Sequence, residues 1–385
     1  ILITGGCGFT GTILTNDLIK LGHKVKVIDT QWFGCNLKKN KNLEIIKKDI
    51  RNIKKNDIKN SDVIVHLANI PNDLSVELNP NLSWDVNVIA IKKLIELSIE
   101  CKVKKFIYAS SGSVYGIKKE KNVTEDMPLE PLTDYSKFKG ECEKILNSYS
   151  SNNFVTTTIR PSTVCGYAKR QRLDLVVNIL TNHAYHNREI KVFGGEQLRP
   201  NVHIDDMVDS YVALLNADPK IINKEIFNVG FKNQSVNELA LNVKSVIGDD
   251  VKIVNTKSDD NRSYHVSSEK IKEVLGFETK YSVKDAVSDL KIAFEKKLSS
   301  YFECKKDLDR IQDSSYIDLT YRIRWDSDRL DLYLPGIREI YICDGSRLTK
   351  YEHDEKKDPD WWMIARSSPE AISCVTDEIL IEKLD

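Results

Sequence analysis

The chain lacks any run of 18 or more apolar residues, the length a helix needs to cross a bilayer, and only 41% of its 385 positions are apolar. No membrane span is expected. It carries no net charge, with 57 Lys plus Arg against 57 Asp plus Glu. That balance gives no electrostatic ground for nucleic acid or an anionic membrane as the main partner. Its eight cysteines include no C-x-x-C pair, and none stands beside a histidine at metal-ligand spacing. Free thiols in a reducing cytosol are therefore expected, with no disulfide framework and no metal, and the chain is read as cytoplasmic. No signal peptide is visible, and the chain opens inside a strand pattern without a Met, so a few residues are expected to precede it. There is no internal repeat and no low-complexity tract. A chain of this length implies two to three domains.

What is present is an alternation of short apolar strands with helices. ILIT opens the chain, followed by a helical pattern over 9–21 with Ile13, Leu14, Leu18 and Leu21 on one face. KVKVID (24–29), LEIIKKDI (43–50) and DVIVHLA (62–68) are strand patterns, residues 83–100 an amphipathic helix, and KKFIYASS (104–111) a strand again. A charged helix over 133–149 leads into FVTTTIRP (154–161). Short strands separated by helices imply right-handed crossovers and a doubly wound, mostly parallel sheet. The pattern loosens between about 165 and 205. Helices are then expected over 172–187, 203–217, 235–247 and 267–275, and strands at EIKVFGG and EIFNVG. After about 300 the character changes. YIDLTYRIRW (316–325) alternates cleanly, RLDLYLP, REIYICD and RLTKYEH follow, and Ser368-Pro369-Glu370 starts a capped helix. Residues 301–385 therefore form an appended β-rich module. Trp361-Trp362 fit its core, and His353 with Asp354 and Glu355 a solvated turn.

The stretch ILITGGCGFTG places Gly5, Gly6, Gly8 and Gly11 between a strand and a helix. A helix N-terminus offers unpaired N–H groups and about half a positive charge, and a phosphate reaches both only where no Cβ intervenes. Gly5 makes the turn, Gly8 permits close approach, and Gly11 lets the helix pack on the strand. Phe9 and Thr10 complete the cofactor-binding loop. Gly6 to Gly11 also matches G-x-G-x-x-G. Asp29 ends the second strand, where a carboxylate can accept both ribose hydroxyls of NAD. No Arg directly follows it, so NAD is favoured over NADP.

TDYSKFKGECEK holds Tyr135 and Lys139, a Y-x-x-x-K pair on one helix face. Free Tyr titrates near about 10. A Lys charge about 5 Å away at an effective dielectric near 20 is worth roughly 3 kcal/mol, about two pK units downward. Tyr135 is then able to exchange a proton with a substrate hydroxyl. YASSGSVYG (108–116) supplies Ser111 beside the phenol, with Ser113 a second candidate.

Residues 1 to about 298 resemble the extended short-chain dehydrogenase/reductase family, in its NAD-dependent nucleotide-sugar epimerase/dehydratase branch. The matching pieces are GGCGFTG, Asp29, DIR (49–51), HLA (66–68), NVIA (87–90), SSGSVYG, Tyr135 with Lys139, IRPSTVCGY (159–167), RPNVHIDDMVD (199–209), FNVG (227–230) and NRSYHVSSEKIKEVLGF (261–277). The resemblance implies a Rossmann-type NAD-binding domain over 1–164, completed by about 203–231. A smaller α/β substrate-binding domain takes 165–202 and 232–300, outside the 301–385 module. It implies that Asp49 and Ile50 flank the adenine, that Leu67 and Ala68 line the cofactor path, and that the backbone near Pro161 meets the nicotinamide amide. Arg199 and Arg262 match the positions that hold the diphosphate of a nucleotide-diphosphate sugar. Thr163, Arg172, Asn178 and Ser113 fall on the substrate side. A homodimer through the helices near 83–100 and 134–149 is also implied.

Family chemistry starts when Tyr135 takes the proton from a sugar hydroxyl, usually at C4, to give a 4-keto intermediate. A 4,6-dehydratase of the family reads S-T-D-E-V-Y-G at the strand end and uses that Asp and Glu for elimination. Aligned on Val114-Tyr115-Gly116, those places hold Gly112 and Ser113. A 4-epimerase is therefore the expected activity, with reduction, decarboxylation or dehydration as alternatives. A sensor or scaffold that binds NAD without turnover is a further one, although such proteins typically lack the Tyr or the Lys. Asn69 stands where the branch usually has a second Ala, and Cys165 where Tyr is common. Tyr135→Phe is expected to abolish turnover while NAD stays bound; retained turnover removes Tyr135 from the mechanism.

Overall fold

The computed structural model describes residues 1–120, 122–257, 263, 265–296 and 298, together with 339–344 and 347–352. The described residues fall into two compact units. One takes in Ile1–Thr30 and Asn36–Ser299, and the other holds the two late strands.

The first unit runs β1 (Leu2–Thr4), α1 (Phe9–Lys20), β2 (Val25–Asp29), β3 (Leu43–Lys47), α2 (Lys55–Ile58), β4 (Val63–His66), α3 (Asp73–Leu78), α4 (Pro80–Trp84), α5 (Ala90–Glu100), β5 (Lys105–Ala109), α6 (Asp134–Ser148), β6 (Val155–Pro161) and β7 (Thr163–Cys165). It continues through α7 (Val176–Asn187), β8 (Glu189–Phe193), β9 (Leu198–His203), α8 (Ile204–Asn216), α9 (Pro219–Ile222), β10 (Glu225–Val229), β11 (Lys232–Ser235), α10 (Val236–Ile247), β12 (Lys252–Thr256), α11 (Glu269–Leu275) and α12 (Val283–Glu295).

Seven strands form one parallel sheet in the order β10-β6-β5-β4-β1-β2-β3. The order reverses at β1, which pairs with β2 on one side and β4 on the other. That reversal opens a crevice at the carboxyl ends of the strands. β1 is only three residues long, yet Leu2, Ile3 and Thr4 are all fully buried, as a central strand covered on both faces requires. Ile3, Leu14, Leu18, Val27, Val65, Ile107, Tyr211 and Phe227 share the main core. Leu21 does not join it: it caps the end of α1 and is 57% exposed. A separate core of Val177, Ile190, Leu239, Val243 and Val287 sits under α7, α10 and α12, where β8 and β12 pair in parallel.

The expected single helix over 83–100 is interrupted. A π-helical turn, Asp85–Ile89, separates α4 from α5. The cause is Asn87, whose buried carboxamide accepts from Ile70 N (2.8 Å) and donates to Ile70 O (3.0 Å) across the loop after β4. One inserted residue lets that side chain face the loop instead of the helix surface. The helix expected from 172 begins at Val176, because the preceding residues are held in an extended loop by side-chain bonds described below. Lys105 is buried within β5. Its Nζ donates to the carbonyls of Leu214 (2.9 Å), Leu215 (2.9 Å) and Ala217 (3.3 Å), placing a cation on the negative end of α8.

The second unit contains β13 (Glu339–Asp344) and β14 (Arg347–Glu352), antiparallel with Ile340 opposite Tyr351 and Asp344 opposite Arg347. These match two of the expected strands. The strand over 316–325, the helix from Ser368, Trp361-Trp362 and His353 lie outside the described residues.

Phe227 comes from β10, the last strand to join the sheet in chain order, and is fully buried in the main core. Phe227→Ala is expected to cost about 3–5 kcal/mol, read as a lower urea midpoint of the first unit; a change under about 1 kcal/mol would detach β10 from that core.

Candidate active site

The glycine turn is as tight as covalent geometry permits. Gly5 has φ +75, and a Cβ there would lie 2.6 Å from the backbone N of Ala68. A Cβ on Gly11 would lie 2.2 Å from the Gly5 carbonyl oxygen. The turn after β1 therefore touches both the end of β4 and the first turn of α1 through bare backbone. Gly8 is the N-cap of α1, with no side-chain cap and no acid in the first turn. A Cβ on Gly8 would meet only the Gly5 carbonyl, at 3.2 Å. The N-terminal amides of a 12-residue helix thus face a space that only side-chain absence keeps open, as a dinucleotide phosphate requires. Phe9 uses its side chain elsewhere: it is buried against Ala168 and Ile204. Thr10 is half-buried in the same turn.

Asp29 ends β2 next to this turn and accepts the Cys7 backbone N–H at 3.0 Å. Asp49 caps a short 3-10 turn, Ile50–Asn52, and pairs with Arg51 (Nη2–Oδ2 2.6 Å). Burial alone would raise its carboxyl, but the Arg51 bonds outweigh that and hold it low. Ile50 is buried beside it. Leu67 and Ala68 follow β4, where Leu67 N donates to Thr4 O at 3.0 Å. The preceding residue, His66, shares a 2.6 Å hydrogen bond with the Thr4 hydroxyl. Burial, helped by the Lys139 charge, drives His66 down to about 3, so it is neutral.

Tyr135 stands in the first turn of α6, whose start is fixed by a capping box between Thr133 and Ser136. Ser111 is among the groups whose side chains bear on its hydroxyl. Ser111 leaves β5 as the cap of the 3-10 turn Gly112–Tyr115, with its Oγ 2.9 Å from the Ser113 Oγ. Lys139 Nζ donates to the Ala109 carbonyl at 2.7 Å and lies 5.8 Å from the Tyr135 ring centroid. The expected lowering of Tyr135 by Lys139 is not what the structure gives. Burial pushes the phenol up to about 12, aided by the Asp73 carboxylate, while Arg172 and the Ser111 hydroxyl pull it back. Lys139 is itself buried, which brings its amine down to about 8 against the raising influence of Cys142 and Glu143. Desolvation is the largest influence on both members of the pair.

On the other side of Tyr135, Arg172 forks onto Asp174 through Nη2 and Nε, the latter at 3.0 Å. Asn178 is fully buried, and both its polar ends bind backbone: Oδ1 accepts from Gly166 N (3.0 Å) and Nδ2 donates to Arg172 O (2.8 Å). These bonds fix the Arg172 loop. Pro161 ends β6, and its carbonyl lies 3.3 Å from where a Gly112 Cβ would stand. Thr163 opens β7 two residues on, half-buried. Arg199 lies in β9 and donates to Leu198 O at 3.0 Å. Arg262 lies outside the described residues.

Sequence reasoning missed two features. The first is Arg172 as the cation that acts on Tyr135. Its separation of 37 positions (172 − 135) carries no pattern. The second is a buried network around Glu143 and Arg160, whose members lie inside the quoted stretches TDYSKFKGECEK, YASSGSVYG and IRPSTVCGY without any spacing that ties them together. His203, Asp205 and Asp289 cluster at metal-ligand distances, but the arrangement is explained by protons. His203 Nδ1 accepts the Asp205 amide at 3.1 Å, so Nε2 carries the hydrogen and faces Asp289 at 3.2 Å. That tautomer leaves no lone pair for a metal ion.

A doubly wound parallel sheet, a bare glycine turn at its switch point, an acid ending the second strand and a Tyr/Lys helix pair define a dinucleotide-binding α/β enzyme. Residues 1–230 match the model of the NAD dependent epimerase/dehydratase family, and the chain belongs to that family, whose cofactor is NAD. It is 31% identical over 328 residues to an uncharacterised UDP-glucose epimerase of Bacillus subtilis, covering 79% of this chain and 99% of the relative. A solved UDP-glucose 4-epimerase of Thermotoga maritima, in complex with UDP-glucose, superposes with a TM-score of 0.70 at 27% identity, over 77% of this chain and 99% of that one. A UDP-glucuronic acid 4-epimerase of Bacillus cereus, with UDP-glucuronic acid and NAD, gives 0.68 at 26%, over 77% and 98%. Among the described residues, no helix is long and apolar enough to cross a membrane.

Lys139 near about 8 has a consequence for stability. Between pH 8 and the unfolded value of 10.5 the folded state binds fewer protons than the unfolded one, so stability rises with pH in that window. Nucleotide-free protein is expected to gain about 2–3 kcal/mol there relative to Lys139→Met, measured by urea unfolding at pH 8, 9 and 10; a flat difference would mean the amine is not desolvated. Tyr135, whose folded value lies above its unfolded one, acts in the opposite sense only above pH 10.

Proposed function

We propose that the chain is an NAD-dependent nucleotide-sugar 4-epimerase in which Tyr135 is the acid/base and Ser111 shares its proton. The observation that carries this is the convergence on Tyr135, at the start of α6, of Ser111 from the end of β5 and of the buried Lys139 amine anchored on the Ala109 carbonyl, at the carboxyl edge of the sheet that the glycine turn also faces. Gly5, Gly8 and the amides of Phe9, Thr10 and Gly11 hold the pyrophosphate. Asp29 holds a ribose, Asp49 and Ile50 flank the adenine, and Leu67, Ala68 and Pro161 line the path to the nicotinamide. Bound NAD supplies the reversible oxidation that turns a carbinol carbon into a carbonyl and back.

The residues of the chain do the rest. Ser111 takes the proton of the sugar hydroxyl as it hands its own to the Tyr135 phenolate, and the transfers reverse when the carbonyl is reduced. Arg172 favours the phenolate that has to stand ready for that transfer, since it draws the Tyr135 value down. Lys139, anchored on the Ala109 carbonyl, holds the adjacent positive charge. Arg199, and Arg262 where the sequence matches, bind the diphosphate. Thr163 and Ser113 face the sugar. The smaller lobe, 165–202 and 232–300, supplies the substrate side. UDP is the nucleotide named for the solved relatives, and we extend it to this chain as the first to test.

Epimerisation is favoured over 4,6-dehydration by the strand end after β5. Dehydration needs an acid and a base there, but position 112 is Gly, and a side chain on it would crowd the Pro161 carbonyl at 3.3 Å. Ser113 turns its hydroxyl to Ser111. The carboxylates that bear on the site from elsewhere are engaged: Asp73 by the Thr133 hydroxyl at 2.7 Å and Asp174 by Arg172. The same reading assigns exposed Trp84 and Ile89, near α5 and α6, to a homodimer face.

The test is a panel of UDP-, GDP-, CDP- and dTDP-hexoses followed by NMR, with absorbance at 340 nm recorded in parallel. Inversion at C4 of one nucleotide sugar is the expected outcome. Loss of the C6 hydroxyl would establish dehydration instead, and a bound nucleotide with neither product nor absorbance change would make the protein a sensor.

A further inference from the structure

The strongest polar cluster outside the residues assigned above is built on one carboxylate. Glu143 lies on α6, two turns beyond Tyr135 and one beyond Lys139, so all three share a helix face. It is 3% exposed. Its Oε1 accepts the Ser110 hydroxyl and Arg160 Nε (3.0 Å), and its Oε2 accepts Arg160 Nη2 (2.6 Å). Ser110 immediately precedes Ser111, and Arg160 immediately precedes Pro161. Both partners are buried as well, and Ser110 N also donates to Ile159 O at 2.8 Å. Arg160 continues the chain of bonds through Nη1 to the Tyr115 hydroxyl (2.6 Å) and the Glu125 carbonyl (3.2 Å), and Tyr115 donates to Asn228 Oδ1 (2.8 Å) on β10.

A buried ion pair is a poor way to gain stability. Desolvation takes back most of the attraction, and a packed apolar pair of the same volume does as well or better. What an apolar pair does not supply is direction. A carboxylate with two oxygens in a plane, met by a guanidinium fork and a hydroxyl, fixes three elements relative to one another. The three elements here are the helix that carries Tyr135 and Lys139, the strand end that carries Ser111, and the strand end that carries Pro161.

We propose that Glu143 is a positioning residue for the Tyr135 proton transfer: through Ser110 and Arg160 it sets the distance from the phenol to Ser111 and to the nicotinamide-facing backbone at Pro161. This rests on the function proposed above. Misplacement of reacting groups by about 1 Å costs on the order of a hundredfold in rate, whereas nucleotide and diphosphate contacts, made from β1, β2 and β9, are left in place. Loss of Glu143 therefore lowers kcat and spares KM.

The test compares the parent with Glu143→Gln, Ser110→Ala and the apolar pair Glu143→Leu with Arg160→Met, all as the full chain loaded with NAD, using UDP-glucose and UDP-glucuronic acid as probes. Glu143→Gln is expected to lower kcat at least about tenfold with KM within about threefold, and Ser110→Ala to fall between it and the parent. The apolar pair is expected to recover the urea midpoint of the parent without recovering kcat. It carries the measurement should Glu143→Gln not fold. A kcat within twofold of the parent in folded Glu143→Gln, or an apolar pair that regains midpoint and kcat together, overturns the proposal and leaves Glu143 a structural residue. Amide hydrogen exchange at 109–113 and 159–163 supplies a readout that does not need turnover. Faster exchange at both segments in the variants, with distant segments unchanged, supports the positioning role of Glu143 even if the parent turns over neither probe, an outcome that counts against the proposed function alone. Unchanged exchange at both segments overturns that role.

Discussion

The contact on which this fold turns is backbone against backbone: the α-carbon of Gly11 lying under the Gly5 carbonyl, and the α-carbon of Gly5 lying against the start of Ala68. No side chain mediates it, so no side chain can adjust it. It fixes where α1 leaves the sheet and how close the end of β4 comes to the first turn. The crevice at the β1/β4 reversal, the direction of the α1 amides and the distance to Asp29 all follow from that seat. Larger residues at these points would move the helix and, with it, the anion site at its end.

Around that rigid turn the chemistry is set mainly by desolvation. Lys139, Tyr135 and His66 are all displaced toward their neutral forms, to about 8, about 12 and about 3. A water-poor site makes each remaining charge matter more. Arg172, held by Asp174 on one side and by the Asn178 carboxamide through its own carbonyl on the other, is the group that works against desolvation at the phenol. The Tyr/Lys pair is thus better described as a trio, with one member contributed by a loop far along the chain.

The larger features were legible because they rest on local rules. Strand-turn-helix spacing and apolar runs are written in consecutive residues, and β1 through β6 appear where the pattern puts them. So do α8, α10 and β10. The π turn at Asp85–Ile89 was not legible, since its cause is a side chain reaching a loop 17 positions earlier (87 − 70). The late start of α7 has the same kind of origin in Asn178 and Arg172. In the candidate site, motif positions gave Ser111, Tyr135 and Lys139 together, and the structure brings them together. Their titration was misjudged because a pair distance on a helix says nothing about how much water surrounds it. Ser110, Glu143 and Arg160 escaped notice because each looks ordinary in its own segment and acquires meaning only when three elements converge.

One property of the sheet bears on how the protein is made. β10 closes the edge beside β6, yet it is residues 225–229, separated from β6 by β7, α7, β8, β9, α8 and α9. A ribosome therefore delivers six of the seven strands, and the first part of a second core, before the strand that covers the β6 border exists. During that interval a row of unpaired amides and carbonyls on Val155–Pro161 is open to any passing extended chain, including another nascent copy. The border stays open for as long as it takes to extend the chain from Pro161 to Val229.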